Sequence, residues 1–107
     1  MIRKAFVMEV LPGKAAEYEK SHNPIWPELH ALFNKQGVHN YSIFLHAATN
    51  QLFGYVEIED EARWNAIAKT AICKKWWQHM TNFMVTTSAA GHPQPKEAAL
   101  REVFHIN

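Results

Sequence analysis

The sequence is poor in cysteine, in charge of one sign and in long apolar runs. Cys73 is the only cysteine among 107 residues, so no intramolecular disulfide can form. That fits a reducing compartment, and a cytoplasmic location is expected. A lone thiol in an apolar stretch with no basic partner reads as buried rather than reactive. The 11 basic and 10 acidic side chains are interspersed and leave a formal charge of +1. With a pI near 7.9, nucleic acid is not an expected partner, because binders carry a basic stripe or a strongly basic pI. Lys74-Lys75-Trp76-Trp77 does mix basic and aromatic residues, but it reads as a helical turn with its lysines toward water rather than as a single-strand platform. The N-terminal apolar stretch turns polar at Glu9, too early for a signal peptide, and no segment approaches a membrane span. The four glycines form no phosphate-cradling loop, and no nucleophile elbow or paired-cysteine motif is present. No cofactor is therefore expected. None of the seven histidines forms the close i, i+4 pair of a helical metal site, so no metal is expected either.

What the sequence does have is apolar residues, 48% of the chain. A chain of this length has room for one domain (residues 1–107) and one core. Such richness suggests burial beyond a single chain's own core, and a homo-oligomer is the simplest reading. Residues 2–11 alternate as a strand with Phe6, Met8 and Val10 on one face, ended by Pro12-Gly13. Lys14 to His22 are strong helix formers. Pro24 disfavours helix at Asn23 and ends the run. Pro27 opens a second helical stretch, with Leu29, Leu32 and Phe33 on one side and Gly37 as its stop. Residues 38–46 and 52–59 alternate as two strands of a hairpin. Asp60 is the expected N-cap of a helix that runs through Trp64 and Ile67 and, after a break near Thr70, on to Met84. Residues 85–99 are expected to form a long loop, and Leu100 to Ile106 a last strand. The order strand-helix-strand-strand-helix-strand is that of a ferredoxin-like α+β sandwich.

Three features could carry chemistry. His22 lies four residues after Tyr18, so both side chains project from one helix face. It also sits at the helix end, just before a rigid Asn-Pro turn. There it reads equally as an acid–base group titrating near neutrality or as an imidazole that stabilises the helix dipole. Trp76 and Trp77 are adjacent helical residues about 100° apart, so one core cannot easily take both rings. At least one indole should face a cavity, a partner or solvent; core packing plus a dimer contact explains the pair as well as sugar recognition does. The Tyr41 hydroxyl, mid-strand, suits a polyol ligand, and also suits an ordinary half-buried surface tyrosine. His46 and His79 are the other histidines considered as a second titrating group.

Taken together, Met1 to Met8, Tyr18 to Glu28 around His22-Asn23-Pro24-Ile25-Trp26-Pro27, His39-Asn40-Tyr41, Val56 to Glu59, Arg63 to Ala66, Trp76-Trp77 with Met80-Thr81, and Glu102-Val103-Phe104 run in order along nearly the whole chain. In these segments the sequence resembles the L-rhamnose mutarotases. The resemblance implies a dimeric α+β barrel in which two ferredoxin-like sheets associate and the C-terminal segment contributes to the partner's side. It implies a sugar partner, L-rhamnose, and interconversion of its α and β anomers. It further implies that His22 donates a proton, while Tyr18, Tyr41, Trp76 and Trp77 contact the sugar. The chemistry agrees, since ring opening needs a proton on the ring oxygen and removal of one from the anomeric hydroxyl. A group with a pKa near ambient pH serves both directions. Water or a hydroxyl is left as counterpart base. The rivals are a non-catalytic ligand-binding module and a cofactor-free monooxygenase on the same architecture, because fold alone does not choose.

Overall fold

In the computed structural model, which describes residues 1–107, the first strand is β1 (Ile2–Glu9). Two short helices follow, α1 (Ala15–Ser21) and α2 (Pro27–Lys35). Pro27 occupies the first turn of α2, where its missing N–H removes no hydrogen bond. The hairpin β2 (Val38–His46) and β3 (Gln51–Ile58) comes next. Then come α3 (Glu61–Ile67) and α4 (Ala71–Met80). Asp60 caps α3 by accepting from the Arg63 backbone N–H at 2.8 Å. The break near Thr70 is a second cap, its hydroxyl oxygen accepting from Cys73 N–H at 3.3 Å. No helix is long and apolar enough to cross a membrane.

The main sheet has the order β2-β3-β1-β6, all neighbours antiparallel, with β6 at Ala98–Leu100. This is the ferredoxin-like α+β arrangement. One face packs Phe6, Met8, Val10, Leu52, Val56 and Ile58 against Leu29, Ile67, Cys73, Trp76 and Met80 of the helices. Gly54 sits opposite Phe6 in the ladder, and a Cβ there would collide with the Phe6 ring. Glycine is thus required by a close approach.

The C-terminal quarter departs from the sequence expectation. Residues 85–99 are not a long loop: β4 (Thr86–Ala89) and β5 (His92–Pro95) form a two-stranded hairpin. Its turn, Ala90-Gly91, has φ of 51° and 81°, the doubly left-handed backbone that matches strand twist in two-residue hairpins. Pro93 and Pro95 argued against a strand, but β5 has one ladder neighbour, so the lost donors break nothing. The last strand is also shorter and earlier than expected. Only Ala98–Leu100 pairs with β1. Beyond Leu100 the chain leaves the sheet, and Glu102 pairs with Arg3 at 2.9 Å. Val103, Phe104 and Ile106 stay exposed, because no surface of the same chain meets their apolar sides.

A further departure lies in β2. Val38 pairs with Ile58 and His39 with Glu57, but Ser42 pairs with Tyr55. Asn40 and Tyr41 together oppose Val56, which is a one-residue β-bulge.

Candidate active site

α1, α2, β2 and α4 enclose an open cavity of about 700 Å³. Tyr18, His22, Tyr41 and Trp76, four of the five residues singled out from the sequence, line it. Trp77 does not line it within the single chain. It borders a smaller groove with Lys69, Lys74 and the β4–β5 hairpin, as the angular offset of adjacent helical residues requires.

Tyr18 and His22 meet as their i, i+4 spacing predicts, with ring centroids 4.4 Å apart. His22 is the C-cap of α1, and its Nδ1 lies 2.8 Å from the Tyr18 carbonyl oxygen. A carbonyl only accepts, so Nδ1 carries the proton and Nε2 is the nitrogen that can give or take one. Trp76 stands edge-on to the imidazole at 5.1 Å, and Trp26 stands edge-on to Trp76 at 5.0 Å. On the far side, Tyr41 is gripped by Phe6, Phe33 and Trp64 at 6.1, 5.6 and 6.0 Å. These edge and tilted contacts are the arrangement that ring quadrupoles favour.

The electrostatics follow from burial. It pulls the His22 imidazolium below its ordinary pKa; the bond to the Tyr18 carbonyl opposes that shift, and His79 adds to it. Burial pushes both the Tyr18 and Tyr41 hydroxyls up, so they stay protonated donors at every physiological pH. Cys73 is buried among core residues and its thiol is pushed up to about 12, which makes it inert.

His22 Nε2, the Tyr18 and Tyr41 hydroxyls and the Trp76 indole N–H have no hydrogen-bond partner in the chain, yet none is a sealed, unsatisfied buried atom. All four belong to residues lining one cavity. Around them lie Ile25, Phe33, Ile43 and Leu52. Glu19, Asn23, His30, Asn34 and Asn40 share the wall, and polar groups beside apolar ones on a concave wall suit a small ligand that is hydroxylated on one side and hydrocarbon on the other. No group of three or more His, Cys, Asp or Glu side chains could hold a metal ion.

The family model for L-rhamnose mutarotase matches residues 3–106 of the chain. The L-rhamnose mutarotase of Opitutus terrae is 59% identical over 107 residues, covering 100% of both sequences. The chain belongs to the L-rhamnose mutarotase family. Within the family, the crystal structure of the L-rhamnose mutarotase of Formosa agariphila superimposes with a TM-score of 0.88 at 33% identity, covering 100% of each chain. A dimeric ferredoxin-like protein from an uncultured marine organism matches at TM-score 0.57 and 11% identity, over 97% of this chain and 96% of its own. That likeness is one of fold alone.

Sequence reasoning assigned no place in the site to Trp26 and left His79 open as a second titrating group. Trp26 precedes α2 as its N-cap, and its ring lies 5.4 Å from that of His79 on α4. The signal available was the i, i+3 spacing of Trp76 and His79. It could not show that Trp26, at the start of α2, packs against both, because that contact is long-range.

Proposed function

We propose that this protein interconverts the α and β anomers of L-rhamnopyranose by acid–base-assisted ring opening and reclosure. The observation that carries this reading is the set of four unpaired polar groups on one cavity wall, in a chain of this family. His22 Nε2–H donates its proton to the ring oxygen as the bond from that oxygen to C1 breaks. Water or a ligand hydroxyl takes the proton of the anomeric hydroxyl, and C1 becomes an aldehyde. Rotation about C1–C2 presents the other face. The freed hydroxyl then attacks C1 and returns its proton to Nε2, while the carbonyl oxygen regains the other. The Nδ1–H bond to Tyr18 holds the ring orientation through both halves.

Tyr18 and Tyr41 serve as hydroxyl donors to the sugar, and Trp76 packs against its ring face, with the apolar wall at Phe33, Ile43 and Leu52 toward the 6-methyl group. Trp77 borders the neighbouring groove and not this cavity, so no contact with the sugar within one chain is proposed for it.

The working form is proposed to be a homodimer. Phe44, Phe53 and Val7 are cross-strand neighbours on the sheet face away from the helices, and Phe44, which also borders the cavity, is 67% exposed. An apolar row of that kind on an exposed sheet face needs a partner surface. The protein is proposed to act in the cytoplasm, on the strength of its single buried thiol.

The test is proton exchange NMR on equilibrated L-rhamnose with catalytic amounts of the protein. Exchange between the two anomeric proton resonances should speed up, and His22→Ala should abolish the effect while the fold remains. No acceleration by the folded wild-type protein would refute the proposed activity.

A further inference from the structure

We propose that Asn40 is a positioning residue of the sugar site, because the bulge it forms turns Tyr41, Ile43 and Leu45 toward the cavity. The inference rests on the reading that Tyr41 contacts the sugar.

Strand parity makes the case. Val38 faces the helices opposite Ile58, and His39 faces away opposite Glu57. Unbroken alternation would put Asn40 inward opposite Val56, and Tyr41 outward opposite Tyr55. A one-residue slip flips every later side chain to the other face. The extra residue reverses that outcome: Ser42 takes the place opposite Tyr55, and Tyr41 packs inward on Phe6 and Phe33. Ile43 then meets Gly54 and Leu45 meets Leu52 on the inner face. All three of these residues line the cavity.

Asn40 is suited to the task on two counts. Its φ is 47°, a left-handed conformation that asparagine and glycine tolerate and β-branched residues do not. Its side-chain amide donates to Glu57 Oε1 at 2.9 Å, while the Tyr55 hydroxyl donates to Glu57 Oε2 at 2.8 Å. Both oxygens of one carboxylate are therefore engaged, and the bulge is clamped to β3. Asn40 itself borders the cavity, but its amide is committed to Glu57, so it acts through Tyr41 rather than on the sugar.

The experiment compares Asn40→Val, Asn40→Gly, Tyr41→Ala and the double variant Asn40→Val/Tyr41→Ala in the full-length protein. It reads KM and kcat for L-rhamnose anomer exchange, together with the NOE between the Tyr41 and Phe33 rings. Tyr41→Ala should raise KM on the order of tenfold, the worth of one hydrogen bond and a ring contact. Asn40→Val should raise it to a similar extent and lose the NOE. Asn40→Gly, which keeps the left-handed backbone, should recover most of the loss and keep the NOE. The double variant should be no worse than Tyr41→Ala alone. If Tyr41→Ala raises KM but Asn40→Val leaves both KM and the NOE at wild-type values, the inference alone is overturned. Fully multiplicative losses in the double variant also overturn it. A wild-type KM for Tyr41→Ala would remove the sugar contact itself, and the inference with it. Should Asn40→Val fail to fold, Asn40→Ala loses the clamp and is strained at the same φ. It should then show the same shifts in smaller measure, and wild-type values there overturn the proposal.

Discussion

The two faces of the main sheet carry similar residues and meet different surroundings. On the inner face Phe6, Met8, Leu52, Val56 and Ile58 vanish beneath four helices, and the space left at the α1–α2 side becomes the cavity. On the outer face Phe44, Phe53 and Leu100 are exposed beside a half-buried Val7, apolar rows that the chain leaves largely uncovered. The same period-2 alternation generates both faces, so hydrophobicity is not what separates them. The helices return over one side only, as right-handed crossovers require. The inner face is completed by local sequence, whereas the outer face and the apolar tail at Val103, Phe104 and Ile106 await another surface. On the proposed reading, the chemistry sits on the finished face and the unfinished one is left for assembly.

The sharpest way to break this comparison is at the inner face. His22→Ala should cost about 100-fold to 10,000-fold in anomer exchange, the range of a positioned acid–base group, with the dimer and the melting temperature little changed. Exchange kinetics beside sedimentation would check both halves. Trp76→Ala comes next. Trp76 is both core residue and cavity wall, so its loss should cost about 3–5 kcal/mol of stability as well as sugar binding, read by denaturant unfolding and titration. Its effect should appear even at high protein concentration.

Phe44→Asp probes the outer face. It should weaken self-association by roughly 30-fold or more, the effect of losing one central aromatic anchor, and leave the inner ring contacts intact. Analytical ultracentrifugation over a concentration series would show it, and an unchanged dimer would remove the outer face from the proposed interface.

Two smaller effects depend on pH. Burial lowers the His22 pKa below its ordinary 6.5, so kcat/KM should fall as pH rises through a midpoint below that value, as the protonated donor is lost. The stability effect has the opposite direction. The unfolded chain takes up a proton near pH 6.5 that the folded chain resists, so stability should drop as pH falls below about 6.5 and level off below the folded pKa. His22→Gln should flatten that part of the melting-temperature profile. An alkaline midpoint above 6.5 would contradict the burial of the imidazole.

Much of the fold was legible in particular residues. Pro24 and Pro27 divided α1 from α2, Asp60 started α3, and Thr70 divided α3 from α4, because caps and prolines act within a few residues. The i, i+4 spacing of Tyr18 and His22 likewise fixed their contact. The β4–β5 hairpin was illegible for a local reason: Ala90-Gly91 lacks the usual Asn-Gly signal, and the two prolines masked a strand with a single neighbour. The last strand was misplaced for a non-local reason, since the alternation of residues 100–106 reports a need for burial and not where that burial is found.

By itself, then, the sequence determined the element order as far as α4, the single inert thiol, the family, and a histidine at a helix end beside a tyrosine, all of which depend on short-range chemistry or on the pattern of the whole chain. Only the tertiary structure decided that Tyr41 faces the cavity, that Trp76 lines it while Trp77 turns aside, and that His22 presents Nε2. Each of those depends on register, on helix rotation or on a contact between distant segments. A one-residue bulge at Asn40 is enough to reverse a strand's two faces while leaving its composition and alternation unchanged.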